Sequence, residues 1–262
     1  MSSSLVWTSA SRTDVGCVRA LNEDACLDRP QQLLWAVADG MGGHTAGDFA
    51  SATIVRALDT FDVADATHSP DALATFVNAA RTALQGVNLQ LRDEAARRGV
   101  RMIGSTVAML MARGRECAWL WAGDSRLYLY RDTRLEALTV DHSYVAELQA
   151  QGHLSAESAR HHPSQHLITR AVGAASTLML DEGRLDVRDG DRFLLCSDGL
   201  SNEVQAPEIA RALEDGDCRL ATDTLVEMAL QAGGRDNITA VVIRVDDPGG
   251  ADLTLVNPAV NH

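Results

Sequence analysis

The segment Leu33–His44 reads LLWAVADGMGGH and joins two kinds of local structure. Its first part, Leu33–Ala38, predicts a buried β-strand, because leucine, valine and tryptophan dominate it and an Asp-Gly pair ends it. Three glycines follow within residues 40–43, which predicts a loop whose backbone can approach a ligand closely. An acidic side chain, Asp39, therefore stands where a strand ends and a close-approach loop begins.

Three more aspartates occupy similar places. They stand beside other apolar runs that predict strands: Asp124 after Cys117–Ala122, Asp198 after Phe193–Cys196, and Asp236 before Ile238–Val245. Each alone suits an ordinary turn, and residues 122–125 suit the turn of a hairpin. Carboxylates gathered at one edge of a sheet, however, raise each other's pKa unless a cation neutralises them. Oxygen ligands favour Mg²⁺ or Mn²⁺ over Ca²⁺, so the spacing predicts a site for such a metal.

Two further side chains stand close to these aspartates in the sequence. His44 follows the glycines, and an imidazole that titrates near neutral pH suits proton transfer, although an ordinary polar loop residue is the alternative. Arg19 precedes the acidic pair Glu23-Asp24. That pattern suits either a surface salt bridge or a guanidinium fork for a phosphate, with a carboxylate in the outer shell of a metal.

The remaining periodicity predicts an α+β fold with antiparallel sheets. Two more apolar runs predict strands, Thr106–Met111 and Leu127–Tyr130, and four amphipathic patterns predict helices, Phe49–Leu58, Leu73–Leu91, Pro207–Leu213 and Leu220–Ala229. Strands mixed with adjacent helix pairs, without strict alternation, favour antiparallel pairing. We expect one domain over residues 1–245, with a surface insertion at about 140–175 and a polar tail over 246–262.

Composition excludes several classes of protein. The 262 residues carry 36 acidic and 23 basic side chains, for a net charge of −13, and every basic residue is arginine. A chain without lysine has no Walker A loop, no kinase ATP lysine and no Schiff-base lysine. The acidic balance argues against a nucleic-acid partner. The apolar runs are too short to cross a bilayer and no signal peptide begins the chain, so we expect a soluble cytoplasmic protein.

The five cysteines exclude another class. They form no C-x-x-C pair, and none is followed six positions later by the arginine that a cysteine-dependent phosphatase needs to hold its substrate phosphate. A phosphatase built on this chain would therefore have to use another kind of chemistry.

In their order along the chain, these residues resemble the metal-dependent Ser/Thr protein phosphatases of the PPM (type 2C) family, in their compact bacterial form. The resemblance covers roughly Ser9 to Val245. It rests on eight blocks: Arg19–Asp24, Ala38–His44, Gly104–Thr106, Gly123–Arg126, Asp141–Ser143, Thr169–Gly173, Cys196–Leu200 and Asp236–Thr239. Each block is weak alone, and eight in sequence are specific.

The resemblance implies a central sandwich of two antiparallel sheets with helices on both outer faces, and two or three Mn²⁺ or Mg²⁺ ions in a cleft at one end. It assigns the metal ligands as follows: Asp39 bridging two metals, the Gly40 carbonyl at the second, Asp198 and Asp236 at the first, Asp124 with Asp198 at a third, and Asp24 through a metal-bound water. It further implies that Arg19 clamps the substrate phosphate and His44 protonates the leaving alkoxide.

The resemblance also implies an activity and partners. The activity is hydrolysis of phosphoserine and phosphothreonine by a metal-bridging hydroxide. The insertion is the flap beside the cleft, which influences substrate choice, with Ser143, Arg170 and Gly173 as its candidate residues. The expected partners are phosphorylated proteins, including a cognate Ser/Thr kinase and its substrates, for a signalling enzyme that is monomeric and contacts neither nucleic acid nor membrane. Two alternatives stay open: a non-catalytic phosphatase-like binding module, and a phosphatase of a small phosphoester.

Overall fold

The computed structural model of the chain describes residues 5–42, 46–60, 71–155, 158, 162–164 and 167–249. Its strands are β1 (Val6–Asp14), β2 (Asp24–Arg29), β3 (Leu34–Met41), β4 (Gly104–Ser105), β5 (Val107–Arg113), β6 (Glu116–Ala122), β7 (Arg126–Arg131), β8 (Arg134–Ala137), β9 (Asp181–Asp186), β10 (Arg192–Cys196) and β11 (Ile238–Asp246). Its helices are α1 (Gly47–Thr60), α2 (Ala72–Arg98), α3 (Tyr144–Ala150), α4 (Asp198–Ser201), α5 (Ala206–Glu214) and α6 (Cys218–Gln231).

The strands form two antiparallel sheets. One has the order β1-β11-β10-β7-β8, and the other has the order β2-β3-β5-β6-β9, with the short β4 pairing with the end of β3. The sheets stack face to face, and tryptophan side chains fill the space between them: the Trp7 and Trp35 rings lie 5.3 Å apart, and Trp7 stacks on Phe193 at 6.4 Å. This confirms the predicted α+β class and its two antiparallel sheets.

Helices cover the outer face of each sheet. Because successive side chains of a strand point to opposite faces, Trp35 and Val37 enter the space between the sheets while Leu34 and Ala36 pack under α1 and α2. The outer face of the other sheet packs against α5 and α6. The strand β3 therefore reads as a continuous apolar run, since both of its faces are covered.

The longest helix, α2, extends well beyond the predicted pattern. Asp71 caps its first turn by accepting a hydrogen bond from the Ala74 amide, and Gly99 ends it in a left-handed conformation with φ of 65°. No helix among the described residues combines the length and the apolar character that crossing a bilayer requires.

The hairpin predicted at residues 122–125 is wrong. The strands on its two sides belong to different sheets: β6 pairs with β5 and β9, and β7 pairs with β8 and β10. Gly123, with φ of 112°, turns the chain from one sheet to the other. In the second sheet the Trp-rich β6 is covered on both faces: Trp119 and Trp121 enter the space between the sheets, and Leu120 packs on the side of α2.

The segment between β8 and β9 carries little regular structure. It contains α3 and makes two isolated bridges: the one from Val172 to Ser105 attaches the segment to the sandwich, and the one from Ser143 to Ile168 joins two parts of the segment itself. Parts of the insertion predicted at 140–175 and residues 250–262 of the predicted tail lie outside the described residues.

Candidate active site

Five aspartates converge at one end of the sandwich. Asp24 opens β2 and stands opposite Asp39 in the register of β2 and β3. Asp198 follows β10 and Asp236 precedes β11, and these two strands are antiparallel neighbours, so both side chains stand at the same end. Asp124 follows β6, the end of which pairs with the start of β5 beside β3.

Asp39 lies at the electrostatic centre of this cluster. Loss of hydration is the main cause that raises its pKa well above the usual carboxyl value. The negative charges of four other residues raise it further: Asp24, Asp198, Asp124 and Asp236. The four other aspartates therefore all act on Asp39. The sequence analysis placed Asp39, Asp124, Asp198 and Asp236 at strand ends, whereas Asp24 was implied by the resemblance.

Asp24 is buried and only half satisfied. Its Oδ2 accepts hydrogen bonds from the Ser197 and Thr239 hydroxyls, each at 2.7 Å, while its Oδ1 is buried without a hydrogen-bond partner. Burial is the main cause that raises the pKa of Asp24 to about 7, and the two hydroxyl donors oppose that rise. A buried carboxylate oxygen without a donor costs free energy unless a cation or water supplies the missing contact.

Asp124 repeats this situation. Its Oδ1 is also buried without a hydrogen-bond partner, and burial, followed by the charge of Asp198, raises its pKa to about 7. Two orphaned carboxylate oxygens in an all-oxygen cluster fit a hard divalent cation. Within the described residues, no group of three His, Cys, Asp or Glu side chains is arranged to hold a metal ion, so the support for a cation comes from charge, burial and oxygen chemistry.

Arg19 supplies a positive charge at the edge of the cluster. Its Nη2 lies 2.7 Å from Asp236 Oδ2, and about half of the side chain stays exposed. That exposure leaves guanidinium N–H groups facing solvent, where an anion can reach them.

Gly40 is fixed by close backbone packing. A Cβ at this position would lie 2.0 Å from the Gly47 carbonyl oxygen and 2.6 Å from that of Glu23. The Gly40 amide also donates to the Glu23 carbonyl at 3.1 Å. A glycine is therefore required where β3 meets α1, whatever its carbonyl binds.

Comparison with known proteins identifies the family. The family profile for protein phosphatase 2C matches residues 18–232. The chain belongs to the protein phosphatase 2C family. The serine/threonine protein phosphatase PstP of Mycobacterium tuberculosis is 38% identical over 246 residues, which cover 93% of the chain and 46% of PstP. The chain thus spans about half the length of PstP, whereas the protein phosphatase PhpP of Streptococcus pneumoniae, 35% identical over 244 residues, is covered to 96%.

Solved structures agree with this 2C-family assignment. PppA, described as a key regulatory component of T6SS in Pseudomonas aeruginosa, matches with a TM-score of 0.84 and 46% identity over 92% of this chain and 99% of its own. The catalytic domain of PstP in complex with two manganese ions matches with a TM-score of 0.81 and 36% identity, over 93% of this chain and 100% of its own.

The flap candidates of this 2C-family chain have partners of their own. Ser143 caps α3 by accepting a hydrogen bond from the Ala146 amide, and Arg170 pairs with Asp181 at 2.8 Å. Gly173 has φ of 91° and donates its amide to Asn88 Oδ1 at 2.7 Å. The contacts of Arg170 and Gly173 anchor the insertion to β9 and α2, whereas that of Ser143 lies within the insertion. None of these contacts joins the carboxylate cluster. His44, the predicted proton donor, lies outside the described residues.

Polar residues that sequence reasoning did not single out hold the cluster together. Besides Ser197 and Thr239, the Thr106 hydroxyl accepts from the Asp39 amide at 3.0 Å and is hydrogen-bonded with Ser125 at 2.7 Å. This pair ties the strand end at Asp39 to the turn that carries Asp124. The only sequence signal for these residues was their place inside the motif blocks, since a hydroxyl at a strand end is common in ordinary turns.

The turn that carries Asp124 is tied to the flap through His142. The Gly123 amide donates to His142 Nδ1 at 3.2 Å, so the ring proton sits on Nε2, which faces Asp181 Oδ2 at 3.1 Å. The imidazole is neutral in this arrangement, and burial is the main cause that lowers its pKa. The ring stacks on Trp121 with centroids 5.8 Å apart.

Proposed function

We propose that this chain is a metal-dependent protein serine/threonine phosphatase. The observation that carries the proposal is the cluster of mutually repelling carboxylates around Asp39, with two buried oxygens that lack donors and a half-exposed guanidinium beside them. The family membership supports it, because the relatives are named as serine/threonine protein phosphatases. The chain offers no cysteine nucleophile for the same reaction, as its sequence already indicates.

The proposed cofactors are two or three Mn²⁺ or Mg²⁺ ions, in keeping with the two manganese ions in the PstP catalytic domain. Their proposed ligands are the side chains of Asp39, Asp124, Asp198 and Asp236 and the carbonyl of Gly40, with Asp24 acting through a metal-bound water. When bound, such cations supply the positive charge that neutralises the cluster and activates water for in-line attack on phosphorus.

The chain's own groups have separate tasks in this proposal. Ser197 and Thr239 orient Asp24 by donating to one of its oxygens, which leaves the other oxygen free to face outward into the cluster. Arg19 binds the phosphoryl oxygens of the substrate, since its guanidinium is held at Asp236 and is open to solvent. His44 is proposed as the proton donor to the leaving alkoxide on the sequence pattern alone.

The proposed substrates are phosphorylated proteins, and a cognate Ser/Thr kinase and its targets are the proposed partners of a bacterial signalling enzyme. We place it in the cytoplasm as a monomer, without nucleic-acid or membrane partners. Its net charge of −13 supports the absence of a nucleic-acid partner, because such a partner is itself negatively charged. Residues 1–245 are proposed as a single domain, with the flap at about 140–175 and residues 246–262 as a polar tail.

The test is phosphate release from p-nitrophenyl phosphate and from a phosphothreonine peptide, with Mn²⁺, Mg²⁺ or EDTA. We expect turnover of both substrates with metal, none in EDTA, and a loss of at least about a hundredfold in Asp39→Asn, because a ligand shared by both cations is removed. The matched control is Asp93→Asn, an exposed position on α2.

Each negative outcome has its own meaning. If p-nitrophenyl phosphate is hydrolysed and the phosphothreonine peptide is not, the result would favour a phosphatase of small phosphoesters. Folded protein that takes up metal and turns over neither substrate would be a binding module, and the proposal would be wrong.

A further inference from the structure

Asn237 lies within the motif block Asp236–Thr239, without a role assigned to it, and makes an unusual set of contacts. It is buried, with 5% of its surface exposed. Its Nδ2 donates to the carbonyl oxygens of Val15 and Leu21, each at 2.9 Å, and its Oδ1 accepts from the Glu23 amide at 2.8 Å. Both amide hydrogens and one acceptor site of this side chain are thus used on the backbone of one loop, residues 15–23.

That loop is held in shape mainly by polar contacts. It connects β1 to β2, and its aliphatic side chains face water: Val18 is 67% exposed and Leu21 is 53% exposed. No apolar packing of these side chains can therefore fix the backbone. Polar contacts do so instead: Asn237 is bonded near both ends of the loop, and the Cys17 amide donates to the Gly234 carbonyl at 2.7 Å. Further hydrogen bonds add to these contacts at Gly16, Asn22 and Glu23.

The loop carries Arg19, and the same short segment that binds its backbone also binds its side chain. Asp236 holds the Arg19 guanidinium at 2.7 Å, while the neighbouring Asn237 holds the backbone on either side. The position of the guanidinium relative to the carboxylates is thereby set by two adjacent residues. An aspartate at 237 could not replace the asparagine, because it has no N–H to give to the two carbonyl groups.

We propose that Asn237 is a positioning residue for phosphate binding, which fixes loop 15–23 so that Arg19 presents its guanidinium beside the carboxylate cluster. The inference rests on the proposed function, because the ligand is the phosphoryl group of the substrate. It assigns to Asn237 no contact with substrate and no part in holding metal.

The test is a double-mutant cycle between Asn237→Ser and Arg19→Ala, with p-nitrophenyl phosphate as substrate and inorganic phosphate as inhibitor. Each single variant is expected to raise KM and the phosphate inhibition constant about tenfold, with kcat changed by less than about threefold. The double variant is expected to have the same KM and phosphate inhibition constant as Arg19→Ala alone. Once the guanidinium is absent, a displacement of the loop can no longer weaken phosphate binding through it. Asn237→Asp is the second variant: it keeps the oxygen that accepts from the Glu23 amide and loses the N–H groups that donate to Val15 and Leu21.

Two measurements separate positioning from a general loss of structure. Mn²⁺ binding without substrate is expected to stay within about twofold in Asn237→Ser, because the backbone bond from the Asn237 amide to Asp236 Oδ1 survives the change. Thr222→Val is the control for stability. It removes a buried hydroxyl on α6, which donates to the Cys218 carbonyl at 2.7 Å, and is expected to lower the melting temperature without moving KM.

The results of these measurements separate failure of this inference from failure of the proposed function. An active parent protein whose KM and phosphate inhibition are unchanged in both Asn237 variants would overturn the inference alone. Effects of Asn237→Ser and Arg19→Ala that multiply in the double variant would do the same, since they would act separately. A parent protein with no turnover under any metal would overturn the proposed function and this inference with it.

Discussion

The buried carboxylates predict how the stability of the metal-free protein depends on pH. Asp24 and Asp124 have pKa values of about 7 in the folded protein, whereas an aspartate in an unfolded chain titrates near 3.9. Between those values the folded state holds protons that the unfolded state has lost. The free energy of unfolding in EDTA should therefore fall as the pH rises from about 4 to about 7, and acid should stabilise the protein across this window.

The size of the effect follows from the number of protons. Each carboxyl that is protonated only in the folded state contributes about 1.4 kcal/mol per pH unit. The charge of Asp198 raises the pKa of both aspartates, and Asp39, the pKa of which is also raised, belongs to the same cluster. We therefore count one proton for the linked carboxyls together. Between pH 5.5 and 7.0 that amounts to roughly 2 kcal/mol, or about 4–8 °C in melting temperature for a chain of this size.

The assay is thermal unfolding at pH 5.5 and 7.0, in EDTA and in Mn²⁺. Relief of the general negative charge also stabilises the protein in acid, so the comparison must be made between variants. Asp124→Asn is expected to flatten the dependence in EDTA, while Asp93→Asn on the exposed face of α2 keeps it. Mn²⁺ is expected to reduce or reverse the dependence in the parent, because metal binding requires ionised carboxylates. Equal slopes for the parent and both variants would refute the reasoning.

Three other substitutions test single contacts. Gly40→Ala places a Cβ 2.0 Å from a carbonyl oxygen of α1 and should abolish expression of folded protein, measured by circular dichroism, whereas Gly86→Ala, with open space around it, should not. Thr239→Val removes one of two hydroxyl donors from Asp24 and should cost about 1–3 kcal/mol by urea denaturation at pH 8. Its cost should be smaller at pH 5, where that carboxyl is protonated. Arg19→Ala should halve the sensitivity of the phosphate inhibition constant to salt, measured between about 0.05 and 0.5 M, because a charge pair is lost.

The sequence predicted the interior strands well and the edge strands poorly. The runs that form β3, β5, β6, β10 and β11 are apolar on both faces, so their composition alone predicts strands. The strand β9 reads DEGRLD and β2 reads DACLDR, with charged side chains throughout, because both lie at the edges of their sheet. Strand patterns also carry no information on partners, which is why residues 122–125 were predicted as a hairpin while they connect two sheets.

The candidate site divides in the same way. Four of the aspartates were predictable because each stands beside an apolar strand, and strand ends at the same end of a sandwich lie close together. Asp24 opens the charged strand β2, and only the resemblance pointed to it. Ser197, Thr239 and Asn237 were not, since hydroxyl and amide residues at strand ends are equally common in turns and caps. Only the folded arrangement shows that two of them donate to Asp24 and that the third holds the loop of Arg19.

The polar groups around the cluster explain how the fold tolerates it. Five neighbouring carboxylates, of which Asp24 and Asp124 are buried, oppose folding by repulsion and lost hydration. Packing of the apolar core must therefore offset this unfavourable free energy. The hydroxyl donors on Asp24 and the guanidinium on Asp236 offset part of it and leave specific oxygens unsatisfied. Complete compensation would stabilise the metal-free chain and remove its affinity for a cation. The partial compensation seen here instead couples cation binding to stability, because a ligand that binds the folded state alone shifts the folding equilibrium toward it.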